Sequence, residues 1–170
     1  MNRPELERRT GAPISAAQSQ RLRATASSLV FTVTINDETF GLPIEHVRTV
    51  FRVTDITPIP LAPPHILGLI NLRGKILTTI SLRLRLGLPP DTQSEPFAVC
   101  LKYDDEDFAL IVDAVQDVVE LRETDRLPPP THIADARAQL TLSIYHWNAH
   151  LLPVLDISKT ILANGTAQAA

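Results

Sequence analysis

From residue 29 to residue 162 the apolar positions mostly alternate with polar ones instead of recurring every three or four residues, and that period predicts strands. LVFTVTI (29–35) sets Val30 and Thr32 opposite Phe31, Val33 and Ile35. NDE follows, in which Asn and Asp tolerate left-handed backbone, and TFGL resumes, so residues 29–42 predict a hairpin. Pro43 starts a short helical turn, its fixed φ suiting a first helical position. VRTVFRV (47–53) predicts a third strand. ITPIPLAPPHI holds four of the fourteen prolines and reads as an extended connector, because proline donates nothing to a central ladder. ILGLINL and KILTTIS then pair across a turn at Arg73–Gly74.

The pattern repeats. Shifted by 68, FTVTINDETFGLPIEHVRTVF lies over VCLKYDDEDFALIVDAVQDVV without a gap, matching Asp37 with Asp105, Phe40 with Phe108, Leu42 with Leu110, Val47 with Val115 and Val50 with Val118. Pro60 falls on Pro128. After an insertion, KILTTISLRLRL lies over HLLPVLDISKTI at a shift of 75, matching Leu77 with Leu152 and Ile80 with Leu155. Each half therefore predicts five short strands in the order hairpin, helical turn, strand, proline connector, hairpin. Short strands of this kind suit small closed barrels, which leave no exposed edge. One such barrel is marginal alone, and two packed together bury a shared apolar face. Phe40 and Phe108, on equivalent returning strands, are both expected to face a core.

Residues 1–28 are polar and charged, with Leu6, Ile14 and Leu22 the few apolar anchors, and read as a flexible N-terminal arm with a short helix over 15–26. Residues 29–162 form the folded unit, 29–88 as the first barrel half and 96–162 as the second, and 163–170 read as a loose tail. A net charge of −3 offers nucleic acid no basic surplus. The single Cys100, between Val99 and Leu101, excludes an intramolecular disulfide and reads as a small core residue. No signal peptide or apolar run of roughly 18 residues is present, so a soluble cytoplasmic protein is expected.

Chemistry is sparse. GLINLRGK resembles a phosphate loop at first sight, but five residues separate Gly68 from Gly74 and Ile76 follows Lys75 where the loop needs Ser or Thr. His146 and His150 flank a turn and lack a third ligand, so no metal and no other cofactor is expected. DDED (104–107) lacks the glycine and distal glutamate of a calcium loop and overlays the turn of the first half, which makes it a solvated hairpin tip. No nucleophile elbow appears. Arg83 and Arg85 read as a solvated face, or as a basic patch with Arg73 and Lys75. Arg73 differs from both: it occupies a turn whose counterpart, HWNA, carries no charge, and arginine's planar multi-donor head is favoured at interfaces.

FGLPIEHVRTVFRVTDITPIPLAPPHILGLINLRGKILTTISLRLRLGL resembles the CheW family, the coupling proteins of bacterial chemotaxis. ALIVDAVQDVVEL resembles the second-half signature of that family, and LLPVLDISKTI its closing strand and helix. The segment Asn71-Leu72-Arg73-Gly74, preceded by Pro63-Pro64, is its most specific marker. The resemblance implies an all-β fold: two tandem five-stranded SH3-like barrels sharing a hydrophobic core, with short helical turns and a short C-terminal helix. It implies an adaptor without catalysis that bridges the cytoplasmic tips of chemoreceptors and the regulatory domain of the histidine kinase CheA. Such a protein is cytoplasmic, is recruited to membrane-associated receptor arrays and does not insert into the membrane. Similar domains end CheA and occur in CheV, and with no kinase or receiver segment here the stand-alone adaptor is expected. Receptor tips would dock in a groove that takes in Val47, Thr49, Gly68, Asn71, Leu72, Arg73 and Gly74, and kinase contacts would use the ends of both barrels.

The chain departs from the family pattern twice. Many relatives carry Glu where Thr49 stands, so no internal acid is expected beside Arg73. THIADARAQLTLSIYHWN lacks the usual Gly-rich approach to the fourth strand of the second barrel, which points to an altered kinase-side surface. A CheW-like scaffold of a pilus or other non-flagellar kinase pathway is the alternative. A nucleic-acid-binding small barrel is the rival from another class, and it needs exposed aromatics over a basic groove, whereas aromatics are only 5% of this chain.

Overall fold

The computed structural model describes residues 26–91, 95–128 and 135–162. The expected helix from Ser15, all but the end of the expected arm, and the tail from 163 lie outside the described residues. Ser27 and Ser28, assigned to the arm from sequence, open the first strand instead, where Ser27 lies opposite Arg122 and Ser28 opposite Leu121.

The first half runs β1 (Ser27–Ile35), β2 (Glu38–Pro43), a 3-10 turn (Ile44–His46), β3 (Val47–Arg52), β4 (Ile66–Leu72), β5 (Lys75–Ser81) and α1 (Leu82–Arg85). The second runs β6 (Phe97–Tyr103), β7 (Glu106–Val112), β8 (Ala114–Arg122), a 3-10 turn (Glu123–Asp125), β9 (Arg126–Leu127), α2 (Ala136–Leu140), β10 (Thr141–Trp147), β11 (His150–Leu155) and α3 (Ile157–Ile161). The helical turn expected between β7 and β8 is absent. Pro43 ends β2 and sets φ for the following turn, whereas its counterpart Ile111 keeps its N–H and stays in β7.

All four hairpins close through two residues of positive φ: Asn36–Asp37, Arg73–Gly74, Asp104–Asp105 and Asn148–Ala149. This backbone twist matches that of the flanking strands. The repeat holds in register. Val33 lies opposite Val115 as Leu101 lies opposite Val47, and the parallel pair Gly41–Val154 is matched by Ala109–Thr79.

The two halves exchange strands. One sheet has the order β8-β1-β2-β11-β10-β9 and the other β3-β6-β7-β5-β4, so each sheet takes its first hairpin from one half and its remaining strands from the other. The chain itself closes each sheet into a barrel. β8 at one edge runs through Glu123–Asp125 into β9, which pairs with β10 at the other edge. The connector after β3 returns against β4, where Thr57 and Leu69 exchange two hydrogen bonds of 2.8 Å. The segment around Thr57 in one half and Arg126–Leu127 in the other therefore link the two edges of each sheet.

Three apolar clusters follow. Ile70, Leu77, Ala98, Cys100, Ala109 and Ile111 fill one barrel, and Val30, Leu121, Tyr145, Leu152 and Val154 the other. Between them lies a larger core drawn from both halves, with Ile35, Phe40, Leu42, Ile80, Leu101, Leu110 and Leu155 among its members. β1 feeds both layers, Val30 into a barrel and Val33 and Ile35 into the shared core.

Arg83 and Arg85 are not a solvated face. Arg83 donates to both carboxylate oxygens of Asp113, with the shorter contact at 2.5 Å, and Asp113 also accepts from the backbone of Asn36 at 2.8 Å. Arg85 reaches across to α3, donating to the carbonyls of Thr160 (3.1 Å) and Lys159. Each arginine thus ties α1 to the other half.

The equivalence of Phe40 and Phe108 also breaks. Phe40 is 1% exposed, whereas Phe108 is only half-buried against the shared core. The helix α2 stands in the second-half insertion and has no counterpart in the first half. Its Leu140 joins the cluster around Phe40, and its Arg137 pairs with Glu38 at 2.5 Å.

Phe40→Ala is expected to cost about 3–5 kcal/mol, and Phe108→Ala roughly half as much, since less area leaves water there. Urea titration of both variants checks the difference, and equal losses contradict it. His65, at the foot of β4, is held below its ordinary value of 6.5, first by burial and then by the nearby Arg85 charge, and its Nε2 is buried without a partner among the described residues. The unfolded chain therefore binds the proton more readily. The contribution is complete above the unfolded value and is lost as pH falls from about 6.5 through the folded value. The melting temperature is expected to drop across that window, and His65→Leu to flatten the drop.

Candidate functional site

The mouth of the barrel built on β3-β6-β7-β5-β4 opens as a groove of about 640 Å³. Two hairpin turns, Arg73–Gly74 and Asp104–Asp105, belong to this sheet. The groove is floored by Leu77 and Cys100, both buried, with half-buried Leu72 beside them. Burial pushes the Cys100 thiol up, so it stays protonated and acts as packing.

The walls are charged. Arg48 and Thr49 stand on β3, Lys102 on β6, Lys75 on β5 and Arg73 on the turn before it, and they face Asp105 and Asp107. Arg48 is the extra residue of a β-bulge: Val47 lies opposite Leu101 and Thr49 opposite Cys100, which leaves Arg48 unpaired in the ladder. The two carboxylates are already engaged. Lys75 Nζ lies 3.1 Å from Asp107, and Lys102 Nζ 2.8 Å from Asp105. The hydrogen bond from Lys102 holds the Asp105 carboxyl below the usual range. Arg48 and Arg73 form no ion pair or hydrogen bond among the described residues, and both are exposed.

The seven residues expected to form a groove separate into three groups. Thr49, Leu72 and Arg73 line it together. Asn71 and Gly74 build its corner: Asn71 Oδ1 accepts the Gly74 N–H at 2.9 Å, which braces the turn that carries Arg73. Val47 and Gly68 point elsewhere. Val47 packs on the shared core. Gly68 is buried at a bulge of β4 with φ +145°, and a Cβ there would sit 2.1 Å from the Thr57 carbonyl oxygen. Gly68 thus makes room for the connector that closes the barrel. Arg48 and Lys102 were missed from sequence. Their signal lay in the repeat, where Arg48 aligns with Gln116 and Lys102 with Thr34.

The fold is a pair of strand-exchanged barrels, one of which carries this charged groove at its mouth. The chain belongs to the CheW family: the CheW-like domain matches residues 29–163. The chemotaxis protein CheW of Helicobacter pylori is 27% identical over 128 residues, covering 75% of this chain and 77% of its own. That of Treponema pallidum is 29% identical over 133 residues, covering 75% and 78%. The crystal structure of the scaffolding protein TtCheW from Thermoanaerobacter tengcongensis matches with a TM-score of 0.74 at 28% identity, over 82% of this chain and 96% of that one. Among the described residues no helix is long and apolar enough to cross a membrane.

Gly68→Ala is expected to destabilise the fold by about 2–4 kcal/mol, because the methyl group displaces a backbone rather than a side chain and the φ is strained for any L residue. A denaturation midpoint unchanged from wild type would place the connector away from Gly68 in solution.

Proposed function

We propose that this chain is a non-catalytic adaptor that couples the cytoplasmic tips of chemoreceptors to the regulatory domain of the histidine kinase CheA. It works in the cytoplasm, at membrane-associated receptor arrays. One observation carries the reading: in a member of the CheW family, the family's Asn-Leu-Arg-Gly corner forms the lip of an open groove, with Thr49 and Leu72 beside it and the Arg73 guanidinium without a partner among the described residues. Thr49, Leu72 and Arg73 are the contact residues of the receptor site, while Asn71 and Gly74 hold the corner in shape. Val47 and Gly68 serve it indirectly, through the core and the connector. Arginine is enriched in protein–protein interfaces. The groove binds by shape and charge, without turnover.

Arg73→Glu tests this. The side chain is exposed and makes no pair among the described residues, so the melting curve is expected to stay close to that of wild type. Reversing a charge at an interface centre costs about 2 kcal/mol or more, a loss of roughly 30-fold in affinity. Calorimetry with a receptor-tip fragment and with the CheA regulatory domain measures both arms. Unchanged receptor binding would remove Arg73 from the site, and wild type that binds neither fragment would end the adaptor reading.

A further inference from the structure

The internal repeat supplies a control for the groove. Each residue of its walls has a structural equivalent on the other barrel, fixed by the shared strand registers. Arg48 corresponds to Gln116, Thr49 to Asp117, Arg73 to Asn148, Lys75 to His150 and Lys102 to Thr34. The same fold is therefore built with these cations and without them. The charge belongs to one mouth and not to the architecture.

Arg73 sharpens the point. It sits at φ 52° in a turn position that suits Asn, and its equivalent Asn148 has φ 46°. Folding alone favours asparagine there, since a short polar side chain enters the left-handed region at little cost and arginine does not. Within the groove four cations meet two carboxylates, and those two are taken by Lys75 and Lys102. Arg48 and Arg73 are left exposed above an apolar floor, with Thr49 offering no counter-ion.

We infer that this groove selects an acidic amphipathic protein segment, which brings a carboxylate to Arg48 and Arg73 and an aliphatic side chain to Leu72 and Leu77. The inference rests on the docking reading above and adds what the partner must carry: because the chain lacks an acid at position 49, the partner supplies the counter-charge. Nucleic acid is the weaker occupant. No aromatic ring lines the groove for base stacking, and the chain's net charge of −3 offers a polyanion no basic surplus.

The test uses the full chain and three labelled probes: a short synthetic helix with a leucine stripe and glutamates elsewhere, the same helix with glutamines, and a single-stranded DNA oligonucleotide. Fluorescence anisotropy at low and high salt is the readout. The glutamate helix is expected to bind at least about tenfold more tightly than the glutamine helix, with the advantage shrinking as salt rises. The preference is expected to vanish in the Arg48→Gln/Arg73→Asn double variant and to survive in part in Arg73→Lys. Arg73→Asn alone is expected to melt about 2–4 °C higher than wild type while binding the glutamate helix more weakly. A merely structural arginine would not separate the two readouts in that way. Equal binding of the two helices, a preference that persists in the double variant, or tighter binding of DNA than of the glutamate helix each overturns the inference. A receptor-tip fragment that binds wild type and the double variant equally overturns acid selection and leaves the adaptor role standing. Selective capture of the glutamate helix without any receptor-tip binding does the reverse.

Discussion

The hairpin β1–β2 has two open edges, and strands from the far half of the chain fill both: β8 pairs antiparallel with β1, and β11 meets β2 in parallel. The hairpin β6–β7 is served in the same way by β3 and β5. A row of unpaired N–H and C=O groups is costly when buried and prone to aggregation when exposed. Each half therefore depends on the other to satisfy its backbone, and the rest of the architecture follows from that mutual dependence. β1 is buried on both faces because it serves a barrel and the shared core at once. The arginines of α1 cross between halves because the exchange brings α1 beside Asp113 and beside α3.

An exchange of this kind gives a pseudo-twofold molecule whose two ends begin alike and are then free to differ. The differences found here are local. One barrel gains α2 ahead of β10, which covers Phe40, and the other barrel carries the cationic groove. Neither disturbs the ladders, which keep the same bulges on both sides: Val47/Thr49 in one barrel mirrors the irregularity near Phe31/Val33 in the other, and Ile66/Gly68 mirrors Thr141/Ser143. A bulge re-aims a side chain without breaking the strand, and in the groove the redirected side chain is Arg48.

Much of this was legible in the sequence. Alternation gave the strands, Asn and Asp marked three of the four hairpin turns, and the shifted alignment identified positions that the structure superposes. The exchange itself was not legible, because an internal repeat says which residues are equivalent and is silent on which pair. The role of Gly68 was hidden for a related reason: its close contact is with Thr57, a residue of the connector, and nothing in the local pattern points there. Arg83 and Arg85 alternate with leucines, a pattern shared by a solvated face and by a pair of cross-links, and only the positions of Asp113 and of the α3 carbonyls separate the two. In the groove, Arg73 stood out because its counterpart is uncharged. The same comparison applied to Arg48 would have found it too, although bulged residues fall out of step with strand periodicity and are easily passed over.

The exchange also has a temporal side. Thr32 bonds to the carbonyl of Asp117, a contact that spans 85 positions. During synthesis the chain emerges from its N-terminal end, so β1 and β2 leave the ribosome long before β8 and β11 exist. A hairpin alone is marginal in water, and contacts this distant in sequence form slowly because a long loop must close first. The nascent first half therefore waits, its apolar strands exposed, until almost the whole domain has been translated. Transiently exposed apolar surface and unpaired strand edges of this kind are prone to aggregate, a cost the folded molecule no longer shows.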